Sequence, residues 1–492
     1  MKKQLAYILL LAMAAQLAAC GETPGAGADS TTASTDTTTA EVTTSLFNPD
    51  LPDKDYGGHQ FRLLSSDEIG SGRYSYEIDA EAENGETIND AVFRRNSAVE
   101  DRFNVEIVKV EVNKSQTLNT FKSSVMANDD AYDVLVDEWV KTLSIAHEYC
   151  LEIDDLPYID IENDWWEKRV IMGAAIGGRA FGLTGDINIV DDKLTWGLMF
   201  NKNLADEYLD VDLYQTVRDG KWTIDALEAA CKGVQNDLNG DTVYDDKDQW
   251  GFVGSGNAAM TFLWAGGGIF GNLEDDGSVT LTLDSQRNLD VLERTFDFYS
   301  DPSLVYHVEK IKSANYNGTT SYHARSRQMF NFGQILFIAG TLSYSEEFRD
   351  MEDEFGFLPY PKYDEAQKEY ITVAQEGGAT MFSVPRSAPD AERTSILLDA
   401  MCSTAKVYIT PAFYDVYLQR KIARDNDSAE MLDIIFDSRV FDIVYSYDFG
   451  SIKQFNKVMI ATSNTIASKL ASYKNAAQKA YETTYSEILA LE

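Results

Sequence analysis

The chain has 492 residues, 44% of them hydrophobic and 12% aromatic, and a formal net charge of −38 from 80 acidic and 42 basic side chains. That length exceeds what one hydrophobic core usually serves, so two domains or lobes are expected. A surface this acidic repels nucleic acid and anionic lipid headgroups and excludes both as partners. The four histidines, His59, His147, His307 and His323, stand at no metal-ligand spacing, which argues against zinc chemistry.

At the N-terminus, Lys2 and Lys3 precede an apolar run from Leu5 to Leu17 and the small residues Ala18 and Ala19. This reads as a secretory signal too short to span a bilayer. Leu17-Ala-Ala-Cys20 resembles the lipobox of bacterial lipoproteins. The resemblance implies removal of residues 1–19, lipidation of Cys20, and an exported protein anchored on the outer face of the cytoplasmic membrane. Residues 20–45 are rich in Ser, Thr, Ala and Gly and read as a flexible tether. Beyond Cys20, the remaining Cys150, Cys231 and Cys402 are odd in number and widely spaced, so they form no disulfide framework.

Alternating strands and helices follow. Strands are expected at 59–66, 105–112 and 133–137, with helices at 88–103, 116–126 and 139–149 between and after them. This β-α-β-α-β order implies a parallel sheet whose ligands sit beyond the carboxyl ends of its strands, where Ser65, Ser66, Asp137, Glu138 and Trp139 fall. A second unit begins after Gly185-Asp186, with a strand at 196–201, a helix at 204–208, and a helix from Ile224 capped by Thr223. Further helices are expected at 289–299 and 326–332. A strand at 355–361 reads as returning toward the first unit. A strand at 381–385, a helix at 388–402 and a mostly helical end complete the chain.

Several stretches together carry a family resemblance: Leu198-Met-Phe-Asn-Lys-Asn-Leu204, Asp219-Gly-Lys-Trp-Thr-Ile-Asp225, Phe355-Gly-Phe-Leu-Pro-Tyr-Pro-Lys362 with Val384-Pro385, Asn163-Asp-Trp-Trp166, and the run from Gly177-Gly178 to Gly185-Asp186. They are similar to extracellular solute-binding proteins of sugar-type ABC importers. The resemblance implies an α/β, two-lobed periplasmic-binding-protein fold of type II with a helical C-terminal region. Lobe 1 would comprise 46–185 plus about 355–402, and lobe 2 would comprise 186–354 plus about 403–492. It further implies a monomer that is not an enzyme, that closes on a carbohydrate ligand, and that delivers it to an ABC permease without an organic cofactor.

The sharpest chemical motif is Asp237-Leu-Asn-Gly-Asp-Thr-Val-Tyr-Asp-Asp-Lys-Asp248. It places Asp237, Asn239, Asp241, Asp245 and Asp248 at the liganding positions of an EF-hand-like loop, with the Val243 carbonyl between them, and points to a structural Ca²⁺. Thr242 stands where such loops carry glycine, and Asp248 where they carry glutamate. For the ligand site, aromatic faces stack on sugars and planar polar groups bind hydroxyls. Trp139 and Trp264 lead the candidates, with Trp165, Trp166 and Trp196 behind them. Ser66 and Glu138 lie at strand ends, and Asp186 and Glu376 lie in glycine-flanked loops. A glycan-binding surface lipoprotein, or a secreted enzyme with paired carboxylates in a cleft, are the alternatives.

Overall fold

A computed structural model gives the fold and describes residues 47–67, 77–187, 189–311, 321–374, 380–414 and 426–491. Cys20, the tether and Glu376 lie outside the described residues. No helix among the described residues is long and apolar enough to cross a membrane.

The strands, in chain order, are β1 (His59–Ser66), β2 (Val105–Val112), β3 (Val134–Glu138), β4 (Trp196–Asn201), β5 (Trp250–Gly254), β6 (Gly271–Leu273), β7 (Val279–Leu281), β8 (Val305–His307), β9 (Ile335–Thr341), β10 (Phe355–Leu358), β11 (Thr372–Val373), β12 (Thr380–Ser383) and β13 (Arg439–Val440). They build a four-stranded sheet in the order β12-β3-β1-β2 and a five-stranded sheet in the order β10-β4-β9-β5-β8, with two small ribbons, β6-β7 and β11-β13. In the first sheet β1 runs parallel to β2 and β3, as the β-α-β reading requires, and β12 closes it antiparallel to β3.

Side chains along β1 and β3 alternate between two apolar clusters. Phe61, Leu63, Val134 and Val136 enter one with Ile396 and Leu397, whereas Leu64 and Leu135 enter the other with Trp139, Phe200 and Phe337. The period of two therefore buries both faces of this sheet. The second cluster runs without a break from the first sheet into the second. Helix Thr87–Phe103 covers the first sheet and packs on helix Ala391–Tyr414. It ends where Asn104 turns left-handed at φ 49°. In the second unit the N-caps are ordinary: Asn201, Thr223, Ser255 and Ser285 each accept the amide three residues on.

One boundary differs from the sequence reading. The Phe355–Leu358 strand does not return to the first sheet; it pairs antiparallel with β4, Phe355 opposite Asn201. The chain crosses back only between Leu358 and Thr380, so residues 355–358 belong to the second sheet. Local sequence specifies that Phe-Gly-Phe-Leu is a strand, but not which edge it joins. At Gly356 the Tyr214 hydroxyl packs where a Cβ would otherwise stand.

Trp165 and Trp166 are explained by packing. Both indole N–H groups donate to Asp399 Oδ1, at 3.0 and 3.1 Å, and the Asn48 side-chain amide donates to Oδ2 at 2.9 Å. Asp399 is fully buried in helix Ala391–Tyr414, and burial raises its carboxyl above the ordinary range. The Asp-Trp-Trp element is thus a clamp joining a loop of the first unit to this helix. Asp399→Ala strands three donors and should destabilise the fold by about 3 kcal/mol. Chemical denaturation would measure it, and a loss near zero would show that the indoles find other acceptors.

Candidate functional site

Two neighbouring cavities lie where the two sheets face each other. The larger, about 390 Å³, is lined by Trp139, Glu167, Arg169, Asp191, Arg439 and Phe441 among others. The smaller, about 210 Å³, is lined by Trp196, Asn257, Thr261, Trp264, Tyr445 and Asn456 among others. Ala374, two residues before Glu376, lines both, so the two cavities adjoin.

The aromatic walls are held from behind. Trp264 donates its indole N–H to Asp442 Oδ2 at 2.9 Å and, though almost wholly buried, lines the smaller cavity. Asp442 is fully buried and also accepts the amides of Phe270, Val444 and Tyr445. Burial raises the Asp442 carboxyl, and these donors oppose the shift. The Tyr445 ring stands edge-on to Trp264 at 4.7 Å, and Lys453 lies over its other neighbourhood at 5.0 Å. Across the larger cavity Trp139 meets Phe441 edge-on at 5.8 Å. Trp139 Nε1 and Asn456 Oδ1 are buried with no hydrogen-bond partner among the described residues. Unpaired donors and acceptors at a cavity are positions that a ligand hydroxyl can satisfy.

The larger cavity has an ionic wall. Arg439 lies 2.8 Å from Asp192, 3.5 Å from Asp191 and 3.6 Å from Glu167. Burial, then the charge of Asp192, drives Asp191 well above the ordinary carboxylate range, with Arg439 opposing.

The remaining candidates fall elsewhere. Glu138, at the end of β3, pairs with Lys114 and Lys141 at 3.0 and 3.1 Å and lines neither cavity. Ser66 is buried at the end of β1 and lines neither. Asp186 accepts the Thr410 hydroxyl at 2.8 Å and faces Lys406 at 3.6 Å, beside the site and outside its lining. Trp196 does line the smaller cavity. The sequence reading missed Tyr445, Phe441, Asn257, Asn456 and Arg439, which carry no local motif. Glu167 and Arg169 follow Trp166 directly, the one signal that could have flagged them.

The Asp237–Asp248 loop closes on its own amides. Asp237 accepts from Gly240 and Thr242, Asn239 from Asp241, Asp241 from Val243, Asp245 from Lys247, and Asp248 from Leu238 and Asp245. Thr242 takes the left-handed φ of 65° where an EF-hand loop has glycine. Among the described residues no group of three or more His, Cys, Asp or Glu side chains is arranged to hold a metal ion.

No protein-family model matches this chain, and no curated protein matches it by sequence. Solved structures do. An ABC substrate-binding protein of Listeria monocytogenes, in complex with cycloalternan, is 15% identical with a TM-score of 0.54 and covers 87% of this chain and 99% of its own. The cyclic alpha-maltosyl-1,6-maltose binding protein of Arthrobacter globiformis is 15% identical with a TM-score of 0.58, covering 87% and 100%. This chain has the two-lobed periplasmic-binding-protein fold of type II. The GacH receptor of Streptomyces glaucescens, solved unliganded and with acarbose, is similar too, at 13% identity, a TM-score of 0.51, and 88% and 100% coverage. The larger cavity has residues of both lobes in its lining, and the chain passes from one sheet to the other near 189–195 and again after Leu358.

Beside those crossings, burial pushes the Asp186 carboxyl up to about 6 from an ordinary 3.8, with Lys406 opposing. A raised carboxylate contributes stability at pH values below its unfolded pKa, and loses it as pH rises through the folded one. Asp186→Asn cannot ionise, so its melting temperature relative to wild type should climb between pH 4 and pH 7. A difference that is flat with pH would show that Asp186 titrates normally.

Proposed function

We propose that this protein is an extracellular, lipid-anchored substrate-binding component that captures an oligosaccharide between its lobes and presents it to an ABC permease. The observation that supports this most is the make-up of the cleft. Trp196, Trp264 and Tyr445 offer aromatic surface in the smaller cavity, and Trp139 and Phe441 do so in the larger. Asn257, Thr261 and Asn456 supply polar edges, and two buried polar atoms await partners. Aromatic faces against the C–H faces of a sugar, with amides and hydroxyls at its rim, are the chemistry of carbohydrate binding. Two adjoining cavities suit more than one sugar ring.

The carboxylates support binding over turnover. Glu167 and Asp191 line the cleft but share Arg439, so neither is left free as a nucleophile or general base. Contacts to both lobes favour the closed form, and the closed population is the signal the permease would read. Thermal shift of the domain from residue 45 onward, against neutral and acidic oligosaccharides, simple sugars and peptides, should raise the melting temperature with one glycan class. The bound glycan should be recovered intact, and X-ray scattering should show compaction at saturation. Tyr445→Ala should weaken binding by about tenfold. Glycan cleavage would favour the enzyme reading, and binding without compaction would favour a glycan-binding surface lipoprotein.

A structural Ca²⁺ in the Asp237–Asp248 loop is a second part of the proposal. The left-handed Thr242 supports it, because that conformation is strained for threonine and wraps the acidic loop as a cation site requires. Millimolar Ca²⁺ should raise the melting temperature over chelator, and Asp237→Asn with Asp241→Asn should abolish the difference. Identical curves with Ca²⁺ and chelator would assign the loop's closure to its amides alone.

A further inference from the structure

The described arginines of this acidic chain are almost all spoken for. Every described arginine but one has a hydrogen bond, ion pair or ring contact; several hold two or three acidic partners, as Arg218, Arg294 and Arg439 do. The exception among the described residues is Arg169. It stands exposed in the helix Lys168–Gly173, three residues after Trp166, and lines the larger cavity of the cleft. Arg287 and Arg386 also lack an acidic partner but are held by Gln367 and the His147 carbonyl, so Arg169 is the described arginine whose guanidinium is left for a partner from elsewhere.

The surroundings sharpen this. The other arginine in that cavity, Arg439, is occupied by Asp191, Asp192 and Glu167, so it is not available to a ligand anion. The smaller cavity, by contrast, is lined mainly by aromatic rings, amides and a hydroxyl, and its cation, Lys453, already lies over the Tyr445 ring, which leaves the surroundings of a neutral ring. The site is therefore chemically divided along its length. A planar guanidinium with five donors matches a carboxylate in a two-pronged contact.

We infer that the ligand is an acidic oligosaccharide, with a neutral sugar ring against Trp264 and Tyr445 and a uronic-acid ring in the larger cavity, its carboxylate on Arg169. This rests on the proposed carbohydrate-binding function and adds the substrate class.

The test compares uronate-containing oligosaccharides with the same oligosaccharides after carboxyl reduction, and with amino-sugar oligosaccharides, by calorimetry at one fixed ionic strength. The acidic form should bind about tenfold or more tighter than its reduced counterpart. Arg169→Gln, at an exposed position where folding is not at stake, should erase that preference, bringing the acidic form to the affinity of its reduced counterpart. Arg169→Lys should restore only part of it, because an ammonium cannot make the planar contact. Equal affinity for acidic and reduced forms, or preference for neutral or amino sugars, overturns the acidic-ligand inference and leaves carbohydrate binding standing. A preference that survives Arg169→Gln overturns the role of Arg169. No binding of any glycan overturns both readings.

Discussion

Arg439 is the point through which the two lobes are mechanically joined. Its guanidinium gathers Asp191 and Asp192 from the first crossing and Glu167 from the loop that follows the tryptophan clamp. Its own strand, β13, pairs with β11 on the second crossing, and Thr195 bridges to Ala374 beside it. Three segments distant in sequence are tied at one charge. Taking these ions out of water is costly, and removing one partner from such a cluster leaves uncompensated buried charge, so the cluster holds as a unit or not at all. Arg439, Asp191 and Glu167 also form a wall of the larger cavity, so the geometry of this cluster shapes the candidate site.

Away from that point the lobes meet through contacts that can break. The Gly177 amide donates to the Gly277 carbonyl at 2.8 Å, linking a turn of the first unit to the tip of the β6–β7 hairpin. Gly277 has φ 77°, and a Cβ there would meet the Gly178 nitrogen at 2.5 Å, so only glycine lets the two backbones approach this closely. Arg179 donates to the Ile488 and Leu491 carbonyls at the end of helix Ile466–Leu489, and His147 lies 3.3 Å from Glu487 of that helix. Tyr447 donates to the Ala174 carbonyl at 2.9 Å. These are single hydrogen bonds and partly exposed pairs, worth about 1 kcal/mol each or less. These local ties add to the apolar cluster that runs from the first sheet into the second.

The strand–helix alternation of the first unit, the Thr223 cap and the mostly helical end were legible because each rests on local periodicity or a side chain reaching three residues along. What was not legible depends on partners far away in the chain. Trp165 and Trp166 share the composition of ligand-stacking residues, and only Asp399, more than 230 residues on, turns them into a clamp. Trp264 looks the same in sequence, yet Asp442, 178 residues on, takes its N–H where it lines the smaller cavity. Phe355–Leu358 has a strand's sequence on either sheet. In each case the local reading supplied the residue's type of contact, and the tertiary partner decided its role.

The charge of the whole protein sets the terms on which an anionic ligand could bind. A net charge of −38 lowers the local concentration of anions near the surface and slows their approach. Inside the cleft a single unmatched guanidinium acts at contact distance, where screening is weak. Salt therefore works in two directions. With a screening length of about 8 Å at physiological ionic strength, added salt removes most of the long-range repulsion and speeds entry. It weakens the contact itself far less once the cleft has closed and excluded water. Selectivity for an acidic sugar in so acidic a protein thus has to come from one well-placed cation and not from the overall field. A chain built this way would reject polyanions at a distance while accepting a ligand with one carboxylate in the right place.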